Sequence, residues 1–239
     1  MGKHFKLTNE TKINAFGITL YRIECTLDIK WAKVGDKGGW VETEDNINGN
    51  AWVYGDAEVY GNARVYGDAR VSGDAEVYGD ARVSGNARVS GNAWVYGDAE
   101  VYGNARVSGD AEVYGNAEVY GNAKVSDNAE VYGNAKVYGN AWVSDNAEVY
   151  GNARVYGDAE VYGDADYCCI QSFGSANRTT TAFKCKDGKI IVNCGCFSGN
   201  IEDFAKAVER THGDSKYGRE YKAMIELIKV KFGIEDEQH

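Results

Sequence analysis

The chain contains no proline among its 239 residues, so none of its turns is set by a pyrrolidine ring. It has no apolar run long enough to cross a bilayer, which argues against a helical membrane span. The first sixteen residues, MGKHFKLTNETKINAF, lack the apolar core of a secretion signal. Position six is Lys6, where a myristoylation sequence needs Ser or Thr. Positive charge is also in short supply: the net charge is −10 and the pI about 4.9, which argues against general nucleic-acid binding. Six cysteines in a chain without a secretion signal read as reduced thiols, and a cytoplasmic location is expected.

What is present is glycine, thirty residues of it, and a repeat. From Gly49 to Tyr162 the pattern G-[N/D]-A-x-V-[Y/S] runs nineteen times without insertion or deletion, with Asp127 and Asp145 replacing the leading glycine. Within A-x-V-[Y/S] small and apolar residues alternate with polar ones, which is strand periodicity. The Gly-Asn or Gly-Asp that follows is turn chemistry. A four-residue strand and a two-residue corner make a polygonal coil. If the polygon is a triangle, three hexads close one turn of eighteen residues, cored by stacked valines with alanine beside them.

The hexads resemble those of the hexapeptide-repeat family, and that resemblance implies a left-handed parallel β-helix over residues 43–165. The flanks read as caps for its open ends. Residues 1–42 predict short strands in KHFKLT, ITLYRIECTL and GGWVE, with a turn at DKGG. Residues 166–239 predict a small α+β cap: a hairpin around Asp187-Gly188, a helix over IEDFAKAVER capped by Asn200, and a second over KYGREYKAMIELIKVKF. The fold class is therefore mainly β. The layout as a whole, with its LYRI…GDKGGWVE opening and GCF exit, resembles phage- and prophage-encoded proteins of that family. This implies a non-catalytic host-interaction or counter-defence role.

Eighteen residues per turn sorts the variable fourth place into three ladders. One is basic at its centre: Trp52, Arg70, Arg88, Arg106, Lys124, Trp142, Glu160, with Ser72, Ser90, Ser108, Ser126 and Ser144 beside it. The second is acidic: Glu58, Glu76, Trp94, Glu112, Glu130, Glu148, every neighbour a tyrosine. The third is mixed: Arg64, Arg82, Glu100, Glu118, Lys136, Arg154. Like charges one strand apart repel by roughly 1 kcal/mol per pair even in water, and opposite neighbours stabilise. Segregation therefore points to a partner, although duplication of whole coils would also copy charges without purpose.

Three uses follow. The basic face, Trp52, Arg70, Arg88, Ser90, Arg106, Ser108, Lys124 and Trp142, suits an anionic small molecule or nucleotide. The acidic face, Glu58, Glu76, Trp94, Glu112, Glu130 and Glu148, edged by corner aspartates, suits a basic host protein. Each face also complements the other, which suits a homo-oligomer; resemblance to hexapeptide-repeat enzymes implies a trimer. The leading expectation is the phage-type binding protein, with a structural, self-assembling component as the alternative and an acyltransferase third. Acyltransfer in that family needs a histidine base, and His4, His212 and His239 all lie outside the hexads. Cys185, Cys194 and Cys196 are weak candidates for a metal site, since no Cys-x-x-Cys knuckle is present. No cofactor is expected.

Overall fold

A computed structural model describes residues 3–163, 166–185 and 187–234; the expected boundary at residue 165 and His239 lie outside them. The hexads form nineteen two-residue strands, from β4 at Trp52–Val53 to β22 at Glu160–Val161. They stack as three parallel walls around one core, a solenoid of about seven coils. Arg88 pairs with Arg106 and Val89 with Val107, eighteen residues apart, so the triangular winding is observed. Every hexad valine from Val53 to Val161 and every alanine from Ala51 to Ala159 is fully buried. Each valine contributes roughly 1.5 kcal/mol of burial. The chain stays in register because a slip of one residue would turn the valines outward.

Backbone amides run from coil to coil, as in Arg88 N–H to Ala105 O at 3.0 Å and Ser90 N–H to Val107 O at 2.9 Å. At one corner asparagine amides repeat the ladder in side chains, Asn86 to Asn104 at 3.2 Å and Asn122 to Asn140 at 3.1 Å.

The foot is closed by the preceding strands β1 (Phe5–Ile13), β2 (Thr19–Cys25) and β3 (Lys37–Val41). These extend the second wall in the order β1-β2-β3, the first two pairings antiparallel. β3 runs parallel to the first hexad strand of that wall, Trp40 beside Glu58 and Val41 beside Val59. The solenoid register therefore reaches back to Val41, two residues before the expected start. The DKGG turn is also corrected: Lys37, Gly38 and Gly39 belong to β3. A Cβ on Gly38 would lie 2.5 Å from the Ile23 side chain, and one on Gly39 2.5 Å from that of Val53. Here glycine serves close packing of a strand, not a turn.

Above the last coil, β23 (Tyr167–Phe173), β24 (Arg178–Lys184), β25 (Ile190–Cys194) and β26 (Phe197–Asn200) form one antiparallel sheet. The expected hairpin is its centre. Helices α1 (Ile201–His212) and α2 (Lys216–Phe232) cover its far side. The Asn200 side chain accepts from Asp203 N–H at 2.7 Å, the cap that the sequence predicts. Among the described residues no helix is long and apolar enough to cross a membrane.

Candidate functional site

The three walls carry the variable residues outward, and each wall handles charge differently. On the second wall six tyrosines stack ring on ring, Tyr60, Tyr78, Tyr96, Tyr114, Tyr132 and Tyr150, at 4.9 to 5.4 Å between centroids. Four of the six hydroxyls reach a glutamate sixteen places on. Tyr60 donates to Glu76 at 2.7 Å, Tyr96 to Glu112 at 2.9 Å, Tyr114 to Glu130 at 2.9 Å and Tyr132 to Glu148 at 3.0 Å, always to Oε2. Such charge-assisted bonds are worth about 1.5–3 kcal/mol, which offsets the roughly 1 kcal/mol of repulsion between neighbouring glutamates. The acidic ladder is thus held from within, and segregation alone does not require a partner. Burial, with the adjacent carboxylates, raises the hydroxyl pKa of Tyr60, Tyr78, Tyr96, Tyr114 and Tyr132; Tyr78, which has Trp94 and not a carboxylate sixteen places on, is pushed up to about 12.

The third wall pairs its central charges. Arg82 meets Glu100 at 3.2 Å and Lys136 meets Glu118 at 2.6 Å. Glu118 is fully served, with Tyr102 donating to Oε2 at 3.0 Å and Lys136 to Oε1. The lysine holds its carboxyl below the usual range; burial opposes it, and the tyrosine hydroxyl adds a smaller lowering effect.

The first wall is different again. Trp52 is 1 % exposed, packed 5.9 Å from the His4 ring. Arg70 lies 3.9 Å over Trp31, and Tyr54 donates to the Trp31 carbonyl at 2.9 Å. The N-terminal segment therefore covers the foot of this wall, so Trp52 is core and not the open end of a binding strip. What stays exposed is Arg88 and Arg106, backed by Ser90 and Ser108, and Lys124, which lies 5.3 Å over the Trp142 ring. Among the described residues these three cations form no ion pair. Partial burial and the flanking Arg70 and Arg106 lower the Arg88 pKa. Trp142, 37 % exposed, closes the upper end, its Nε1 donating to Ser126 Oγ at 3.0 Å.

The open stretch is a flat wall. Clefts occur where the upper cap meets the solenoid, one of about 560 Å³ being lined by Tyr156, Asp158, Cys185, Asp187, Lys189 and Ser198. The cysteines do not converge. Cys185 packs toward the solenoid core, Cys194 is buried on the helix side of the upper sheet, and Cys196 is exposed. Cys185 and Cys194 thus pack in different clusters, and among the described residues no three Cys, His, Asp or Glu side chains come together as a metal set.

Both ends are closed by side chains as well as strands. At the foot His4 Nε2 bonds the Ala51 carbonyl at 3.0 Å, and Asn46 Nδ2 donates to Gly61 O at 3.1 Å and Ala63 O at 2.9 Å. At the top Asn193 Nδ2 donates to the Arg154 carbonyl at 3.2 Å, and the buried Phe183 and Tyr167 cover the last coil.

Comparison with known families places these features. The family model that matches, over residues 37–164, is Bactofilin, described as polymer-forming and cytoskeletal. No curated protein matches the chain. The match overturns the resemblance to phage-encoded hexapeptide proteins, and with it the counter-defence role, the captured anionic ligand and the blocked host protein. Short hexads with small and aliphatic core residues specify a solenoid, and they do so whatever family carries them. The role is structural, not enzymatic. Covering more than half of its length, the match shows that this chain belongs to the bactofilin family of polymer-forming cytoskeletal proteins.

Proposed function

We propose that the chain is the subunit of a self-assembling structural polymer in the cytoplasm, and that the solenoid walls are its assembly surfaces. The observation that carries this reading is the contrast between ends and sides. Both ends present caps whose side chains already occupy edge carbonyls of the end coils, which removes the templates that a further coil would pair with. The sides present flat ladders, one positive and one negative. A rod with closed ends and two complementary sides assembles sideways. A three-fold ring is the closed form of that arrangement and a continuing sheet or bundle is the open form.

Sedimentation and negative-stain electron microscopy of the purified chain test the reading. Ordered assemblies are expected at low ionic strength, thinning as salt rises through the range in which the Debye length falls from about 10 to about 3 Å. A monodisperse monomer at every protein and salt concentration would sink it.

A further inference from the structure

The third wall shows what a completed carboxylate looks like in this fold. In Glu118 one oxygen accepts from Tyr102 below and the other from Lys136 above. On the second wall the lower half of that arrangement repeats at Glu76, Glu112, Glu130 and Glu148, where a tyrosine takes Oε2. The upper half is missing: among the described residues nothing bonds their Oε1 atoms. Only Glu58, at the covered foot, has its cation, Lys12 at 2.9 Å. The first wall holds the complement, with Arg88 and Arg106 exposed and, among the described residues, in no ion pair, and Lys124 exposed 5.3 Å over the Trp142 ring.

We propose that the first wall of one copy docks on the second wall of another, so that Arg106 supplies the missing donor to Glu112 of its neighbour. This rests on the polymer reading and names its contact. The two ladders share one pitch, because both climb by whole coils of the same solenoid. Setting Arg106 opposite Glu112 therefore fixes the flanking pairs together. With neighbours parallel, Arg88 meets the Trp94 ring and Lys124 meets Glu130. With neighbours antiparallel, Arg88 meets Glu130 and Lys124 meets Trp94. Either way each open cation finds a carboxylate or an indole face, and both are favourable partners. Trp94, 38 % exposed in the middle of an acidic column, gains a purpose that a solvated face does not give it. The third wall, whose central Arg82, Glu100, Glu118 and Lys136 are already paired with one another, stays outside the contact. The interface is heterologous, a surface meeting a different surface, and so can propagate.

Charge reversal tests this. One variant carries Arg88→Glu and Arg106→Glu; the other carries Glu112→Lys and Glu130→Lys. Each alone sets like charges against each other at the central pair, position 106 against position 112, and is expected to lose at least ten-fold of its sedimenting fraction. An equimolar mixture is expected to recover it, with the two chains pelleting one to one. A single chain with all four reversals is expected to assemble alone, which also shows that the substitutions leave the fold intact. Wild-type assembly with unchanged variants would overturn the wall contact and leave the polymer reading standing. A mixture that stays in the supernatant, alongside a four-fold variant that also fails, would overturn the contact too. Wild type that never assembles would overturn both.

Discussion

Gly91 tests the close stacking of coils more sharply than any core residue. Its φ is +75°, and a Cβ there would lie 2.7 Å from the carbonyl oxygen and 2.9 Å from the nitrogen of Gly109 in the next coil. Gly157 has nearly the same backbone, φ +70°, but nothing within 4 Å of the added atom. Alanine at either position costs about 1 kcal/mol for the left-handed conformation. At Gly91 the overlap must also be relieved by parting two coils, where Asn92 N–H donates to Gly109 O at 2.8 Å. Weakening that bond and its neighbours adds about 1–2 kcal/mol. Gly91→Ala is therefore expected to cost about 2–3 kcal/mol and Gly157→Ala about 1 kcal/mol. The loss is partial, because Asp127 and Asp145 already hold a Cβ at this corner with φ of 60° and 57°. Thermal unfolding followed by circular dichroism compares the two variants with wild type. Equal midpoints, or a larger loss at Gly157, would refute the idea that glycine here answers to the coil above and not to the turn alone.

Trp52→Ala should cost about 3–5 kcal/mol, as for a buried tryptophan, whereas Trp94→Ala should stay within about 0.5 kcal/mol; equal melting losses would contradict the burial of Trp52. The tyrosine columns predict alkaline instability. Unfolded tyrosine ionises near 10, while Tyr78 and Tyr132 are pushed up to about 12, chiefly by burial. Their contribution is complete below pH 10 and is lost as pH rises from 10 toward 12, by at most about 1.4 kcal/mol per pH unit for each. Melting curves across that window should fall, and less so in Tyr78→Phe with Tyr132→Phe. Burial lowers the pKa of His4, and its bond to the Ala51 carbonyl offsets this only in part. Its contribution is therefore full above pH 6.5 and declines as pH drops below that value. Protection factors at the foot of the solenoid, corrected for the intrinsic exchange rate at each pH, should fall between pH 7 and 5 in wild type, and His4→Gln should flatten that dependence.

The hexads made the solenoid legible because one periodicity sets three things at once: which side chains enter the core, where the corners fall, and which residues stack. Val89 above Val71, and Arg88 above Arg70, follow from counting by eighteen. The charge columns were legible for the same reason, but their cause was not. A partner was expected to answer for a column of glutamates, whereas four of them are held by a tyrosine sixteen residues earlier. A signal for this lies in the sequence, since Tyr60, Tyr96, Tyr114 and Tyr132 each stand sixteen residues before a glutamate. The burial of Trp52 was not legible, because it depends on how residues outside the repeat fold back on the first coil. The family was missed for a further reason: alanine and valine in a six-residue register report the winding, and unrelated solenoids share that need.

The most direct measurement is an electron cryo-microscopy reconstruction of the assembled chain. The account predicts adjacent rods lying side by side, with the Arg106 guanidinium of one against the Glu112 carboxylate of the next and the third wall facing solvent. Rods joined only through their caps, with Arg88, Arg106 and Lys124 open to solvent along the whole assembly, would contradict it.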